Sequence, residues 1–219
     1  VGRNSRNAAV NQLKQIETNN TMANNEQPKP PGAGKSSLDL IDPDILFRYL
    51  DLKKGSVMLD AGSGAGAYSL AAVEHIGNEG LIYAVDMWEE GIATLKNNID
   101  SKGINTIRPI TADIRERIPV IDDHSVDICL MATVLHDIVE TGNASGALSE
   151  IARVLRPKGQ LAIIEFKKIE GPPGPPLKIR LSPDEVEHMV APFRFRKQGT
   201  PVEVGAHNYL VMFHIEVLD

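Results

Sequence analysis

The stretch Val57-Met58-Leu59-Asp60-Ala61-Gly62-Ser63-Gly64-Ala65-Gly66-Ala67 decides how this chain is read. A short apolar run ends at a carboxylate, three alternating glycines follow, and residues 68–76 then read as a helix. That order brings backbone close to a ligand, because glycine has no Cβ and a helix start carries unpaired N–H groups. Gly62-x-Gly64-x-x-Ala67 also fits the dinucleotide fingerprint, so the loop alone is ambiguous between two cofactors. A tight turn that holds no ligand is the third reading.

Outward from the loop the pattern alternates. Upstream, Asp42 is an N-cap with Pro43 at the first helical position, leading into Ile45, Leu46, Tyr49 and Leu50. Downstream, residues 81–85 read as a strand closed by Asp86, 88–99 as a helix and 106–111 as a strand. Residues 126–133 form a nearly continuous apolar run, the mark of a strand buried on both faces. Residues 144–155 are helical, and 160–166 are a further buried strand. Such alternation implies an α/β fold with right-handed crossovers and a doubly wound parallel sheet, helices covering both faces. The ending differs: a helix over 183–190, then strands over 194–204 and 209–217. Their connection, 205–208, is short enough for a hairpin, so those two strands are antiparallel. The low-complexity Gly171-Pro172-Pro173-Gly174-Pro175-Pro176 is a rigid rim loop after a core strand.

Composition removes several classes. The chain has 219 residues, with 42% apolar and 24% charged side chains, which is ordinary for one globular domain and excludes disorder throughout. No apolar run reaches the ~20 residues of a membrane span. The single Cys129 rules out a disulfide framework or a multi-thiolate metal site, and no histidines show metal spacing. A formal charge of −6 makes nucleic-acid binding an unfavoured function, although Arg194, Arg196 and Lys197 form a small basic patch. No charged-then-apolar signal opens the chain, so the expected compartment is the cytoplasm. Residues 1–27 are Asn-rich and lack a sustained helical stripe, and Met22 reads as a natural start preceded by an extension. Pro28, Pro30 and Pro31 stiffen the joint into the body. The expected division is an extension and possible lid segment over 1–37 and one domain over 38–219.

Two further carboxylates sit where a nucleoside would need them. Asp86 closes the second strand, and a carboxylate there accepts both hydroxyls of a ribose. Asp113 follows the third strand in Thr111-Ala112-Asp113-Ile114, offering an acceptor for an exocyclic amine with the Ile114 amide as donor. By contrast, Gly32-Ala33-Gly34-Lys35-Ser36 only mimics a phosphate loop: its first glycine would fall on Lys29, and prolines replace the strand.

Taken together, Asp60-x-Gly62-x-Gly64-x-Gly66, Asp86 and Asp113-Ile114 resemble the cofactor motifs of class I S-adenosylmethionine-dependent methyltransferases. So do Ser125-Val126-Asp127-Ile128-Cys129-Leu130-Met131 and Ile151-Ala152-Arg153-Val154-Leu155-Arg156-Pro157-Lys158-Gly159. The resemblance covers roughly residues 52–166 and implies a Rossmann-like, seven-stranded, mostly parallel sheet with an antiparallel last strand. It implies S-adenosylmethionine as cofactor. Asp60, Gly62, Ser63, Gly64 and Gly66 would hold its methionine moiety, Asp86 the ribose, and Met87 or Trp88 would lie beside the adenine. Asp113 and Ile114 would read the adenine edge, and Ala132 would pass the cofactor on the fourth strand.

Transfer from a sulfonium is an in-line displacement, so the protein aligns a nucleophile and excludes water. A base is needed only where the nucleophile carries a proton. His136-Asp137, directly after the fourth strand, is the candidate for that role, with a packing histidine as the plain alternative. Glu165 and Lys167, ending the fifth strand, are candidates for binding a polar acceptor, or else solvated strand-end charges. Residues 147–168 also resemble quinone-biosynthesis C-methyltransferases, but Thr133-Val134-Leu135-His136-Asp137 departs from their Arg-Asn-Val signature. A compact small-molecule acceptor is expected. A nicotinamide-dependent oxidoreductase and a non-catalytic cofactor-binding module are the competing readings.

Overall fold

Helix α1 (Pro43–Leu50) forms where the sequence demands a start: Asp42 Oδ1 accepts from the amides of Asp44 and Ile45 at 2.9 and 3.2 Å, with proline at the first position. It is the first α-helix of a computed structural model that describes residues 32–216, all within the unit Pro31–Asp219. The readings made for residues 1–27 lie outside the described residues.

After α1 come β1 (Val57–Ala61), α2 (Ala67–Ile76), β2 (Leu81–Asp86), α3 (Glu89–Lys102) and β3 (Ile107–Thr111). The second half runs β4 (Val126–Ala132), α4 (Leu135–Thr141), α5 (Ala144–Val154), β5 (Leu155–Phe166), α6 (Pro183–Val190), β6 (Phe195–Glu203) and β7 (Asn208–Ile215). The strands form one seven-stranded sheet in the order β3-β2-β1-β4-β5-β7-β6. Every pairing among β1 to β5 is parallel, and β7 alone runs against its neighbours β5 and β6. The expected fold and the antiparallel last strand are both present.

Strand side chains alternate between faces, and here both faces are covered. Met58, Ile82, Leu130 and Ala162 pack on Leu46 of α1, Ala72 of α2 and Leu95 of α3. Leu59, Tyr83, Cys129 and Leu161 point the other way, onto Leu135 of α4, Leu148 of α5 and Val186 of α6. Double burial is why the strands read as unbroken apolar runs, and Cys129 is core.

Two details depart from the sequence reading. Strand β5 starts at Leu155, earlier than expected, because Val126 pairs with Leu155 before the register shifts. The Arg156-Pro157-Lys158-Gly159 stretch is thus carried within an irregular strand, with Lys158 at φ 66°. The second departure is α4, a seven-residue helix that no periodicity announces and that carries His136 and Asp137.

Candidate functional site

Strand order reverses at β1, which has β2 on one side and β4 on the other. Open α/β sheets bind ligands in the crevice beyond the carboxyl ends of the strands at such a point. The glycine loop lies at this switch point. Its first turn is stitched to β2, since the amides of Gly62 and Ser63 both donate to Val85 O, at 2.8 and 3.0 Å. Gly62 has φ 80°, and a Cβ on it would come within 2.6 Å of Val134 Cγ2. Gly64 is different: φ is 55°, and a Cβ there would meet no atom within 4 Å among the described residues. One glycine is small because protein presses on it, the other faces an open cradle. Gly66 then caps α2, its amide donating to Ser63 O at 2.8 Å.

The carboxylates gather around that loop. Asp60 is buried at the end of β1 and accepts from Ser69 Oγ at 2.6 Å. Burial, partly countered by Ser69 and reinforced by Asp86, pushes its carboxyl up to about 6. Asp86 Oδ2 accepts from the Gly64 amide at 2.7 Å and Oδ1 from the Trp88 amide at 2.8 Å. A carboxylate has about four lone-pair sites, so two hydroxyl donors can still be served. Trp88 is the N-cap of α3, and Met87 beside it is an exposed apolar side chain at 48%. Asp113 is held by Arg115 through both oxygens, with contacts of 2.7 to 3.0 Å, and this keeps its pKa below the usual carboxylate range. Ile114 is buried beside it. The Asp113–Arg115 clamp was not foreseen from sequence; only the spacing i, i+2 could have suggested it.

On the other side of the switch point, β4 ends at Ala132 and Thr133 follows with φ 55°. Thr133 donates its amide to Ile164 O at 2.7 Å. Helix α4 then carries His136, which is joined to Glu165: its Nδ1 lies 2.8 Å from Oε2, and its amide donates to Oε1 at 3.1 Å. Glu165 is fully buried. The expectation that it meets an acceptor or solvent is corrected, because both of its oxygens face His136. Burial alone would lower the His136 pKa, but Glu165 and Asp137 reverse the balance and raise it. His136 Nε2 lies 3.5 Å from Asp137 Oδ1, and burial raises the Asp137 pKa. Lys167 forms an ion pair with Glu203 at 3.0 Å. Beneath them, buried Arg180 spends its guanidinium on main-chain oxygens of Lys167, Ile169, Gly171, Pro173 and Pro175. Five donors meet five carbonyls, which fixes the proline-rich loop as a wall. Sequence reasoning missed this Arg180, whose only signal was its place just after that loop.

The set fits an adenosyl amino acid. Gly64 opens a cradle, and Ser63 Oγ is buried with no hydrogen-bond partner among the described residues. Buried hydroxyls are rarely left so, and a polar ligand group would satisfy this one. Among the described residues no group of three metal-ligating side chains occurs.

Comparisons agree with this geometry. A family model described as a methyltransferase domain matches residues 52–191. An S-adenosylmethionine-dependent methyltransferase structure from Aquifex aeolicus is 31% identical with TM-score 0.74, covering 85% of this chain and 94% of that one. A putative type 11 methyltransferase from Sulfolobus solfataricus, 23% identical with TM-score 0.67 over 82% and 95% of the two chains, shares the fold. Among curated relatives, the ubiquinone/menaquinone biosynthesis C-methyltransferase UbiE of Hydrogenovibrio crunogenus is 28% identical over 121 residues, 55% of this chain and 46% of that protein. The chain thus spans about half the length of the curated relatives it matches. A glycine cradle between paired carboxylates, on a β3-β2-β1-β4-β5-β7-β6 sheet, and a family match over most of the domain lead to one conclusion: the chain belongs to the class I S-adenosylmethionine-dependent methyltransferases.

Proposed function

We propose that this chain methylates a compact small molecule in the crevice between the glycine loop and α4. The observation that carries the reading is the meeting, at one switch point, of the open Gly64 cradle and the Asp86 carboxylate with the His136–Glu165 pair. S-adenosylmethionine supplies an electrophilic methyl carbon on its sulfonium. Asp60 and the loop of Gly62, Ser63, Gly64 and Gly66 would hold the amino-acid end. Asp86 would take the ribose, Met87 and Trp88 would flank the adenine, Asp113 and Ile114 would read its edge, and Ala132 would line the floor. His136 and Asp137 would receive the proton of an acceptor that bears one, with Glu165 orienting the imidazole rather than touching substrate. Lys167, paired to Glu203, borders the acceptor side.

The acceptor is proposed as small because the described residues show no inserted cap between their elements. UbiE is named for methylating carbon in quinone biosynthesis, and that substrate is not carried over, given the Thr133 to Asp137 departure. We place the protein in the cytoplasm, supported by a single, buried, free Cys129. The test is an acceptor screen that follows S-adenosylhomocysteine release. Turnover with phenols, amines or heterocycles supports the reading, and turnover only with nucleic acid or protein overturns the small-molecule part.

A further inference from the structure

Ser37 is a polar residue in a dry place, 4% exposed, and its hydroxyl is shared between two walls of the crevice. Its Oγ lies 2.8 Å from the hydroxyl of Tyr68 and 3.0 Å from Oγ1 of Thr133. Tyr68 belongs to the first turn of α2, immediately after the glycine loop. Thr133 belongs to the exit of β4 on the opposite side of the switch point. Through this one hydroxyl, side chains 65 residues apart in sequence are joined from the two sides of the switch point.

Both ends of the segment 32–41 are tied down. A turn closes from the Lys35 amide to Gly32 O at 3.0 Å, and a Cβ on Gly32 would come 3.0 Å from Asp137 Oδ2. At the other end the Asp42 amide donates to Val204 O at 2.6 Å, and Gly205 packs so closely on Leu40 O that a Cβ would sit 2.2 Å away. Ser37 stands between these anchors. One hydroxyl offers a donor and two acceptor sites, so it can serve both neighbours at once. Thr133 gains most from it: a β-branched residue at φ 55° persists only where its surroundings hold it.

We infer that residues 32–41 are a strap over the cofactor crevice, and that Ser37 is its latch, joining the α2 wall to the β4 wall and so setting the rate at which the cofactor product leaves. The inference rests on the proposed seat of the cofactor between the glycine loop and Asp86. Ser37 is a positioning residue, and it acts through Tyr68 and Thr133. Losing two hydrogen bonds that close a barrier accelerates opening by about tenfold.

The experiment measures dissociation of tritiated S-adenosylhomocysteine from the full chain, displaced by excess unlabelled compound, alongside the equilibrium Kd. For Ser37→Ala the off-rate rises about tenfold, the on-rate rises with it, and Kd moves by much less. Ser37→Thr, which keeps the hydroxyl, returns the off-rate towards that of the unaltered protein. An off-rate in Ser37→Ala within about twofold of the unaltered protein overturns the latch. So does a rise in off-rate with no change in on-rate, since that would make Ser37 a plain binding residue. Should Ser37→Ala fail to fold, Tyr68→Phe removes one arm of the same latch from α2 and is read in the same way. Asp86→Ala separates the two claims: unchanged affinity there would displace the cofactor seat, whereas the Ser37 rates address the strap alone.

Discussion

Asp60 sits 1% exposed at the end of β1 with Ser69 Oγ as its hydrogen-bond donor. Its carboxyl, pushed up to about 6 chiefly by burial, is costly to ionise in the folded protein. The sign follows from proton counting. Between the unfolded value near 4 and about 6, the folded chain binds more protons, so Asp60 lowers stability as pH rises through that window. The loss is on the order of 3 kcal/mol, complete above about pH 6. Asp60→Asn should therefore flatten the stability difference between about pH 4 and pH 7 in denaturant titrations, yet weaken S-adenosylhomocysteine binding. An unchanged pH dependence would show that Asp60 is not the costly group. Asp86 presents the opposite case, a carboxylate with two amide donors and spare acceptor capacity. Asp86→Ala should weaken cofactor binding about ten- to a hundredfold, with Asp86→Asn between it and the unaltered protein. Part of that loss comes through the Gly64 amide, which would need water in place of the carboxylate. Calorimetric titration of the three proteins ranks them, and equal affinities would remove Asp86 from the site.

At the scale of elements, α4 is the piece that sequence concealed. Residues 135–141 lack an N-cap side chain and a long apolar stripe, and the helix exists because Leu135, His136 and Ile138 pack inward. Sequence patterns report period and caps; they do not report a buried ion pair between residues 29 apart. For that reason His136 was legible as a candidate while its partner Glu165 was read as an acceptor-binding residue or a solvated strand-end charge. The pair also makes a prediction about rate. If neutral His136 takes the acceptor's proton, kcat rises as pH climbs through a value above the ordinary 6.5, because Glu165 and Asp137 raise its pKa. Glu165→Gln should move that midpoint to lower pH, and His136→Ala should lower kcat by about 10²- to 10⁴-fold with little effect on cofactor Kd. A pH–rate profile on an acceptor from the screen checks both. A profile unchanged in His136→Ala would leave that histidine as packing.

At the scale of the whole molecule, the alternation of strand and helix gave the parallel sheet and the short 205–208 connection gave the final hairpin, while the family resemblance supplied the count of seven strands and the antiparallel last one. Doubly buried strands carry a strong signal, as in Val126–Ala132, whose residues leave little choice of environment. The residues proposed for the cofactor were legible because they occupy or closely follow strand ends at fixed places, from Asp60 through Asp86 to Asp113. Contacts that join distant segments were not: the Arg180 clasp on five carbonyls and the Ser37 bridge arise only when the chain closes. The N-terminal residues before the strap make a further prediction. Deleting residues 1–23 leaves residues 32–41 in place and should leave S-adenosylhomocysteine affinity unchanged by calorimetry; a large loss would assign those residues to the site.

Every assignment above depends on the crevice at β1 and β4 receiving an S-adenosyl cofactor and no nicotinamide. Thermal unfolding with each ligand in turn tests it most directly, since a ligand that binds only the folded state raises Tm with its concentration. S-adenosylmethionine and S-adenosylhomocysteine should both raise Tm, Asp86→Ala should lose most of that rise, and NADH should leave Tm where it was. A rise with NADH, and none with the two S-adenosyl compounds, would contradict the account.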